Sequence, residues 1–447
     1  MTLPQSVVIT WSPTGLVITP STPPVTGVQA HRIADLLERY GVNTFSSTSA
    51  TANVWGAWPG DFSQQSVIAG INWLTNGSGM VVQIREYHYS GRRVWQEPWC
   101  IAVHAATGSP FSVAIGAGGG AADATSIVGM AVASAASASP WLRQVEGINE
   151  PNNDFGSGSL PVQTVLDAQH ILATGPASVQ VAGPSIVFGL PFPEGYITPA
   201  YVNATQLTDI NSSSNVANAH LYPPDETDQD DGSGRGGIMR DMVAGMKSAY
   251  GVRPITITEW HPTLYGAHGH NLDPAYDAYY AVCFMLSAFR EGIDSWFWYA
   301  LIDYGTTYLS GLFPQTGGVA PRPVANTIRA LFTLTGDTGA TKRTFTPGYL
   351  DYTVSGGTVV PNLPNAGTQS MLFQNSAGTF FLFVWNAQSL LEGPTAPVTV
   401  TFASPVTRVE DFKVSGATPM VALQSLTGKS SVVVPLNGSV HLLRITV

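Results

Sequence analysis

Residues 111–149, FSVAIGAGGGAADATSIVGMAVASAASASPWLRQVEGIN, contain one complete strand–helix–strand pattern. The β-rich run 111–116 leads into 122–137, where apolar residues recur at helical spacing, and a second β-rich run follows at 145–149. Parallel strands cannot be joined by a tight turn, so a helix usually supplies the crossover connection. The stretch therefore predicts one unit of a parallel sheet covered by helices.

The same alternation of β-rich runs and helical patterns extends from about residue 31 to residue 300. Eight parallel strands are the number that closes into a barrel whose interior is filled by side chains. We therefore predict an α/β fold, a (β/α)8 barrel over residues 26–334. The predicted strands are 42–47, 80–89, 111–116, 145–149, 179–183, 216–221, 255–259 and 295–300, and the predicted helices include 63–75, 122–137, 162–173, 238–250 and 274–291.

After residue 335 the pattern changes to alternating apolar and polar runs separated by Gly, Pro and Asn, which is typical of antiparallel strands. We predict an additional all-β sandwich domain over residues 335–447. Residues 1–25 are predicted as strand and turn, and they could pair with the sandwich rather than the barrel. The predicted sandwich strands are 350–354, 370–374, 379–385, 398–402, 407–414, 431–434 and 439–447.

Composition excludes several classes of function. The net charge of -10 has the wrong sign for holding a phosphate backbone, so nucleic acid is not an expected partner. The 2 cysteines, Cys100 and Cys283, are too few for a disulfide scaffold or a cysteine-built zinc site. No apolar run is long enough to cross a bilayer, and the first residues, MTLPQSVVIT, lack a signal-peptide pattern. We expect no membrane association.

Two glutamates stand where a barrel enzyme places its chemistry. Glu150 ends the fourth predicted strand in GINEPNN, and Glu259 ends the seventh in TITEWHP. Barrel enzymes act at the carboxyl ends of their strands, and strands four and seven face each other across the barrel mouth. Either glutamate alone could be a helix cap or a solvated loop residue. Together they could flank one sugar, with carboxyl groups ~5 Å apart, as cleavage through a covalent intermediate requires.

On these residues the chain resembles the retaining glycoside hydrolases of clan A. Their motif is an Asn-Glu pair, often followed by Pro, at the end of strand four, with a second glutamate at the end of strand seven. Asn149, Glu150, Pro151 and Glu259 match this motif. The resemblance implies that Glu150 is the general acid/base, that Glu259 is the nucleophile, and that Asn149 binds the 2-hydroxyl of the sugar.

Further positions fit the same resemblance. His220 and Tyr222, in AHLYP, match the clan's His-x-Tyr pattern, which implies that Tyr222 donates a hydrogen bond to Glu259. Arg85 matches an arginine near the end of strand two, and Trp298, in FWYALID, matches a tryptophan that lies beneath the sugar ring. The run RPVANTIRALF from residue 322 resembles the clan's closing helix, while GTFFLFVW at 378–385 and the final VHLLRI resemble its appended sandwiches.

One departure concerns the third strand, where many clan members carry a histidine but this chain reads AIGAGGG. His88 is a candidate substitute, and the family within the clan is not identified. Trp260, like Trp55, Trp58 and Trp296, fits either a sugar-stacking platform or a core residue.

Three further motifs are weighed against other functions. GAGGGA at 116–121 resembles a dinucleotide-binding turn but lacks the acidic ribose partner, so a flexible turn is favoured. The acidic loop at 225–231 fails the EF-hand spacing, and a solvated loop is favoured over calcium binding. His261, His268 and His270 follow Glu259 without an HExxH pattern, and surface residues or substrate contacts are favoured over metal ligation.

The sequence thus predicts a retaining O-glycoside hydrolase that acts on a glycoside, oligosaccharide or polysaccharide without cofactor or metal. A non-catalytic carbohydrate-binding barrel and a transglycosidase are the alternatives. The sugar, its linkage and anomeric configuration, endo or exo action and the oligomeric state are not determined by the pattern, because one fold and chemistry serve many substrates. A polysaccharide substrate would imply an extracellular location, so the localisation stays open.

Overall fold

The structure is a computed structural model, and it describes most of the barrel wall and most of the C-terminal strands. The described residues are 7–12, 15–20, 27–46, 63–152, 160–187, 201–221, 243, 245–248, 251, 253–261, 274–303, 311–314, 321–357, 367–386, 396–414, 420–436 and 440–447.

Four short strands and one helix precede the barrel. β1 (Val7–Ser12) and β2 (Gly15–Pro20) form an antiparallel hairpin with each other. β3 (Val28–Gln29) and β4 (His31–Arg32) pair instead with strands of the C-terminal domain, and helix α1 (Ile33–Leu37) follows. The pairing expected for residues 1–25 stays a prediction, since only the hairpin of that segment is described.

Among the described residues, nine parallel strands in one sheet form the barrel wall. The last of them in chain order pairs with the first, and a bridge between Ala182 and Val216 joins the two ends of this series, so the sheet closes on itself. The predicted (β/α)8 barrel is therefore confirmed, and every predicted strand has its counterpart. The strands are β5 (Tyr40–Thr44), β6 (Gln83–His88), β7 (Phe111–Ile115), β8 (Leu142–Ile148), β9 (Gln180–Ala182), β10 (Ile186–Val187), β11 (Ala217–Leu221), β12 (Ile255–Trp260) and β13 (Ser295–Trp298).

Two of these short strands, β9 and β10, together make the fifth wall of the eight. β9 pairs with β8, and β10 pairs with β11. Between them Ser185 bridges Asn149 on one side, while Ala182 bridges Val216 on the other. The interruption places a backbone carbonyl of Ser185 beside the end of β8, where Glu150 lies.

Helices cover the outside of the sheet. Their start signals follow local chemistry: the Ser63 hydroxyl accepts from the amide of Ser66 at the first turn of α2, and Pro323 occupies the first position of α8. The described part of the predicted helix 238–250 is limited to residues 243 and 245–248. The helices are α2 (Gln64–Thr75), α3 (Arg93–Thr107), α4 (Ala121–Ala135), α5 (Val162–Leu172), α6 (Ala204–Ser212), α7 (Pro274–Arg290) and α8 (Pro323–Thr335).

The C-terminal domain is all β, as predicted. Its strands are β14 (Tyr349–Leu350), β15 (Tyr352–Gly356), β16 (Thr368–Gln374), β17 (Phe380–Asn386), β18 (Ala396–Lys413), β19 (Ala422–Leu436) and β20 (His441–Thr446). Its main sheet runs in the order β15, β18, β20, β17, β16, β4, and β19 pairs with β18.

One sandwich boundary differs from the prediction. The separate strands predicted at 398–402 and 407–414 are a single strand, β18. Its first half pairs with β15 and its second half with β20, while β19 runs beside both halves across a register shift between Thr401 and Val406. The irregular, polar sequence at this shift resembles a turn, but the pairing continues through it.

Alternation along the sandwich strands divides its apolar side chains between two cores. On β17, Leu382 and Val384 pack within the sandwich, whereas Phe381 and Phe383 belong to the same buried cluster as the barrel. Phe373 of β16 meets Phe289 of α7 at a ring-centroid distance of 5.2 Å. The sandwich thus packs directly against the helical layer of the barrel. Among the described residues, no helix is long and apolar enough to cross a membrane.

Candidate active site

The interior of the barrel carries a connected set of polar side chains. Alternation along each strand sends every second residue inward, and at these positions the chain places polar rather than branched apolar residues. Glu146 accepts from Arg85 and Ser112, and Asn218 joins the same network through Glu146 and Thr258. Buried polar groups need such partners, because an unpaired one costs a few kcal/mol. The network lies below the carboxyl ends of the strands.

A bulge in β12 turns Glu259 into the barrel. Ala219 of β11 pairs with Ile257, but the next residue, His220, pairs with Glu259, so β12 has one extra residue here. Thr258 contacts Asn218 in the interior, and simple alternation would then send Glu259 outward. The extra residue allows both consecutive side chains to face inward, which is a common use of bulges beside active sites. Glu259 is 4% exposed.

Glu150 reaches the interior through an unusual backbone conformation. Its φ of 45° is in the left-handed region, which non-glycine residues seldom adopt. The Glu150 amide donates to the Ser185 carbonyl at 2.9 Å, which anchors this conformation at the end of β8. Strained backbone of this kind persists only when the surroundings enforce it, and it is enriched at functional sites.

Arg85 connects the two glutamate-bearing strands. Its Nη1 donates to Glu259 Oε1 at 2.6 Å and its Nη2 to Asn149 Oδ1 at 2.8 Å, while its Nε donates to Glu146 Oε2 at 2.9 Å. Burial alone would lower the pKa of Arg85, but the negative charge of Glu146, together with the electrostatic interactions with Tyr87 and Glu259, outweighs burial and raises that pKa well above its usual value. The guanidinium therefore stays charged and fixes the positions of Glu259 and Asn149.

Tyr87 is the second partner of Glu259. It lies two residues after Arg85 on the same face of β6, and its hydroxyl donates to Glu259 Oε1 while accepting from Arg85 Nη1. Burial, supplemented by the negative charge of Glu259 and opposed by Arg85, raises the pKa of the phenol well above its usual range. Tyr87 therefore stays protonated and acts as a donor. The Phe45 ring stacks on the Tyr87 ring at 5.2 Å.

His220 lies between the two glutamates. Its Nδ1 is 2.7 Å from Glu150 Oε1 and 3.5 Å from Glu259 Oε2. A carboxylate oxygen from each glutamate and a ring nitrogen of His220 all lie within 4.8 Å of one another. The two carboxyl groups, predicted to meet from opposite walls, therefore share one small volume. The side chain of Glu150 is 10% exposed and that of Glu259 is 5% exposed. Both carboxylates are therefore largely buried, and solvent does not fully screen the interaction between their charges.

The same three side chains are of the types that bind zinc. Hydrogen bonding, however, accounts for their approach, and the positive charge of Arg85 on Glu259 opposes a second cation at this place. The donor set therefore fits acid–base and nucleophilic chemistry better than metal ligation.

The glycine run at 116–121 is a tight turn in which Gly116 packs against the Tyr89 ring, leaving no room for a Cβ.

The structure brings Glu150, Glu259, Asn149, Arg85 and His220 together. Trp298 and Trp260 also lie at the carboxyl ends of their strands, but both side chains are fully buried. Trp260 stacks on Phe284 of α7 at 3.7 Å and meets Trp298 edge-on at 4.8 Å. Both tryptophans therefore pack in the wall behind Glu259, and their sugar contacts stay predictions.

His88 faces away from this cluster. It shares the outer face of β6 with Glu86, and its ring nitrogens contact Gln96 of α3 at 2.6 Å and Ser126 of α4 at 2.8 Å. Burial lowers the pKa of His88, so the ring is neutral at physiological pH. Its direction follows from alternation, because Arg85 and Tyr87 occupy the inner face. These contacts give no geometric support to His88 as a substitute for the third-strand histidine, and that role stays a prediction.

Several predicted positions lie outside the described residues. These are Tyr222, His268, His270, Trp55, Trp58 and the acidic loop at 225–231. His261 is described: it is 1% exposed, and its ring meets Trp298 edge-on at 4.7 Å.

Sequence analysis missed Tyr87 and Glu146. Both lie on strands that were predicted. Tyr87 is on the same strand face as Arg85, and Glu146 precedes Glu150 in the chain. In QIREYH, Arg85 and Tyr87 are two residues apart, and period-two alternation would have placed both inside. Glu146 lies four residues before Glu150 on β8, where a charged residue in a buried strand is itself a signal.

Solved structures similar to this chain include glycoside hydrolases of low sequence identity. A family 51 α-L-arabinofuranosidase from Bifidobacterium longum superposes with a TM-score of 0.60 at 10% identity, over 95% of this chain and 98% of the other. A family 39 glycoside hydrolase from Bacteroides cellulosilyticus WH2 gives 0.58 at 11% identity, over 97% and 84%. A glucosidase from Croceicoccus marinus gives 0.57 at 12% identity, over 95% and 100%.

This chain shares their fold. The likeness covers both the barrel and the sandwich, because each superposition includes 95% of this chain. No protein-family model and no curated protein matches the chain. At this identity the shared fold leaves the chemistry to be argued from the side chains.

Proposed function

We propose that the chain is a retaining O-glycoside hydrolase in which Glu150 is the general acid/base and Glu259 is the nucleophile. The observation that carries the proposal is that one carboxylate oxygen of Glu150 and one of Glu259, from facing walls of one barrel, lie within 4.8 Å of each other. Retaining enzymes keep their carboxyl groups roughly 5 Å apart, whereas inverting enzymes leave room for a water at about 6.5–9.5 Å. The spacing supports direct attack by one carboxylate.

The surroundings of the two glutamates support different roles. Glu259 accepts from the Arg85 guanidinium and the Tyr87 hydroxyl, and these two donors hold its carboxylate in position. Glu150 contacts the His220 ring, whose Nδ1 is 2.7 Å from Glu150 Oε1. Two carboxyl groups in unlike environments can divide the roles of nucleophile and acid between them.

The reaction then follows two displacements. Glu150 gives its proton to the glycosidic oxygen as the bond from that oxygen to the anomeric carbon breaks, and the Glu259 carboxylate forms an ester bond to the same carbon. In the second step Glu150 removes a proton from water, whose oxygen attacks the anomeric carbon and releases Glu259. Asn149, oriented by Arg85 Nη2, is proposed to bind the 2-hydroxyl of the sugar.

The similar structures support the substrate class but not the sugar. They include an arabinofuranosidase and a glucosidase by name, so a glycoside, oligosaccharide or polysaccharide is the proposed substrate class. A non-catalytic binding barrel is disfavoured by the burial of two carboxylates around one histidine, an arrangement that is costly without a chemical use. A transglycosidase would share the same first displacement and differ only in the acceptor.

The test is a panel of nitrophenyl glycosides and polysaccharides, applied to the wild type and to Glu150→Gln and Glu259→Gln. We expect turnover on at least one substrate, and a loss of about a thousandfold or more in Glu259→Gln, because the nucleophile has no replacement. Glu410→Gln in the sandwich, where the carboxylate is held by Arg408 and Arg444, is the matched control and should retain turnover. Near-normal activity of Glu259→Gln would exclude the assignment. Product analysis with an added acceptor sugar separates hydrolysis from transfer.

A further inference from the structure

We propose that Glu146 is a positioning residue for the same reaction, which sets both the orientation of Arg85 and the charge that Arg85 presents to Glu259. The inference rests on the proposed function, because it concerns the nucleophile of that mechanism. Neither the sequence motif nor the fold comparison points to Glu146. It is the contacts of its two oxygens that do so.

Glu146 is fully buried inside the barrel. Its Oε2 accepts from Arg85 Nε at 2.9 Å and from Asn218 Nδ2 at 3.4 Å, while Oε1 accepts from the Ser112 hydroxyl and, at 3.5 Å, from Gln144 Nε2. The partners come from β6, β7, β8 and β11, so four walls of the barrel fix this carboxylate. Such a group has one position, and any side chain bound to it is fixed as well.

Arg85 is that side chain. A guanidinium is planar, so fixing its Nε direction also fixes the directions of Nη1 and Nη2. With Nε on Glu146, Nη1 reaches Glu259 and Nη2 reaches Asn149. Glu146 therefore acts on two proposed substrate-contacting residues without touching the substrate. Misplacement of reacting groups by about 1 Å can cost roughly a hundredfold in rate.

Charge is the second link. Arg85 forms ion pairs with Glu146 at 2.9 Å and with Glu259 at 2.6 Å, so one positive charge is shared between two carboxylates. If Arg85 faced Glu259 alone, it would stabilise the Glu259 anion more strongly. A more stable carboxylate is a weaker nucleophile and becomes ionised at a lower pH. Glu146 thus moderates the effect of the cation on the nucleophile.

A bulge in β8 allows Glu146 and Glu150 to serve one site. Ala114 of β7 pairs with Glu146, but Ile115 pairs with Ile148, which leaves Gly147 as an extra residue. A Cβ on Gly147 would lie 2.5 Å from Gln169 Oε1 and 2.7 Å from the Pro184 nitrogen, so only glycine fits there. The bulge at Gly147 therefore sets the path of the chain between Glu146 and Glu150.

The experiment compares pH profiles of kcat/KM for the wild type, Glu146→Gln, Glu146→Asp and Glu410→Gln, with the folded fraction of each measured by thermal denaturation. In Glu146→Gln the amide oxygen still accepts from Arg85, but one negative charge is lost. We expect kcat to fall about tenfold and the acidic limb of the profile to move to lower pH by roughly one unit. Glu146→Asp keeps the charge, so its acidic limb should stay near that of the wild type even though its kcat falls.

A purely structural role would lower the melting temperature without moving the acidic limb. If Glu146→Gln and the Glu410→Gln control both show the wild-type limb and the wild-type kcat per folded molecule, the inference is overturned while the proposed function stands. If the wild type is inert on every substrate, or Glu259→Gln turns over normally, the proposed function fails and the role of Glu146 fails with it.

Discussion

Removing the Tyr87 hydroxyl is expected to weaken catalysis while leaving the barrel intact. In Tyr87→Phe the aromatic ring remains and can still stack on Phe45, but Glu259 loses one of its donors and Arg85 Nη1 loses one acceptor. A hydrogen bond to a charged group contributes roughly 1.5–3 kcal/mol. Because about 1.4 kcal/mol corresponds to a factor of ten in rate, kcat/KM should fall by roughly 10- to 150-fold.

The assay is steady-state hydrolysis of the best nitrophenyl glycoside, with thermal denaturation of the same preparations. The sequence resemblance gave this hydrogen bond to Tyr222, so Tyr222→Phe is the informative companion variant. Tyr87→Phe is expected to show the larger loss of kcat/KM at an almost unchanged melting temperature. Turnover of Tyr87→Phe within twofold of the wild type would refute the role of this hydroxyl.

Three further predictions concern stability. The free energy of unfolding of Glu150→Gly should exceed that of Glu150→Ala by roughly 1 kcal/mol, because φ is 45° at this position and glycine adopts such a φ without a Cβ clash. Equal or lower stability of the glycine variant would contradict this. Burial raises the pKa of Glu86 to about 7 from its ordinary 4.5. Between these two pH values the folded state retains a proton that the unfolded state loses, so the free energy of unfolding should fall as pH rises from 4.5 to 7, by roughly 3 kcal/mol at most. Glu86→Gln should remove this slope in urea titrations, and an unchanged slope would assign it to other groups. Gly147→Ala should lower stability by roughly 1–3 kcal/mol in thermal denaturation, because its Cβ would press on Pro184, whereas Gly91→Ala meets open space and should not.

The barrel was predictable because the sequence shows both the β-rich runs of its strands and the helical spacing of apolar residues between them. Apolar strands such as 111–115 alternate with helices such as 121–135, and this alternation admits few other folds. The positions of Glu150 and Glu259 at strand ends were equally visible. Long β18 was not, since its pairing partners change within the strand and nothing in its sequence identifies them.

The identity of the residues around the nucleophile was only partly predictable. The bulge that turns Glu259 inward is an extra residue in β12, and no residue type in that strand predicts a bulge. Tyr87 could have been found from its two-residue spacing to Arg85, but the clan pattern directed attention to Tyr222. The partners of Glu146 come from four walls of the barrel, and only the closed sheet brings them together.

The most direct test of the account is covalent trapping of the nucleophile. The wild type is incubated with the 2-deoxy-2-fluoro analogue of whichever glycoside it hydrolyses, and the labelled peptide is mapped by mass spectrometry, because the fluorine slows release of the glycosyl-enzyme. The account predicts one sugar per chain, attached to Glu259. A label on any other residue, or an inverted first product with no label at all, would contradict it.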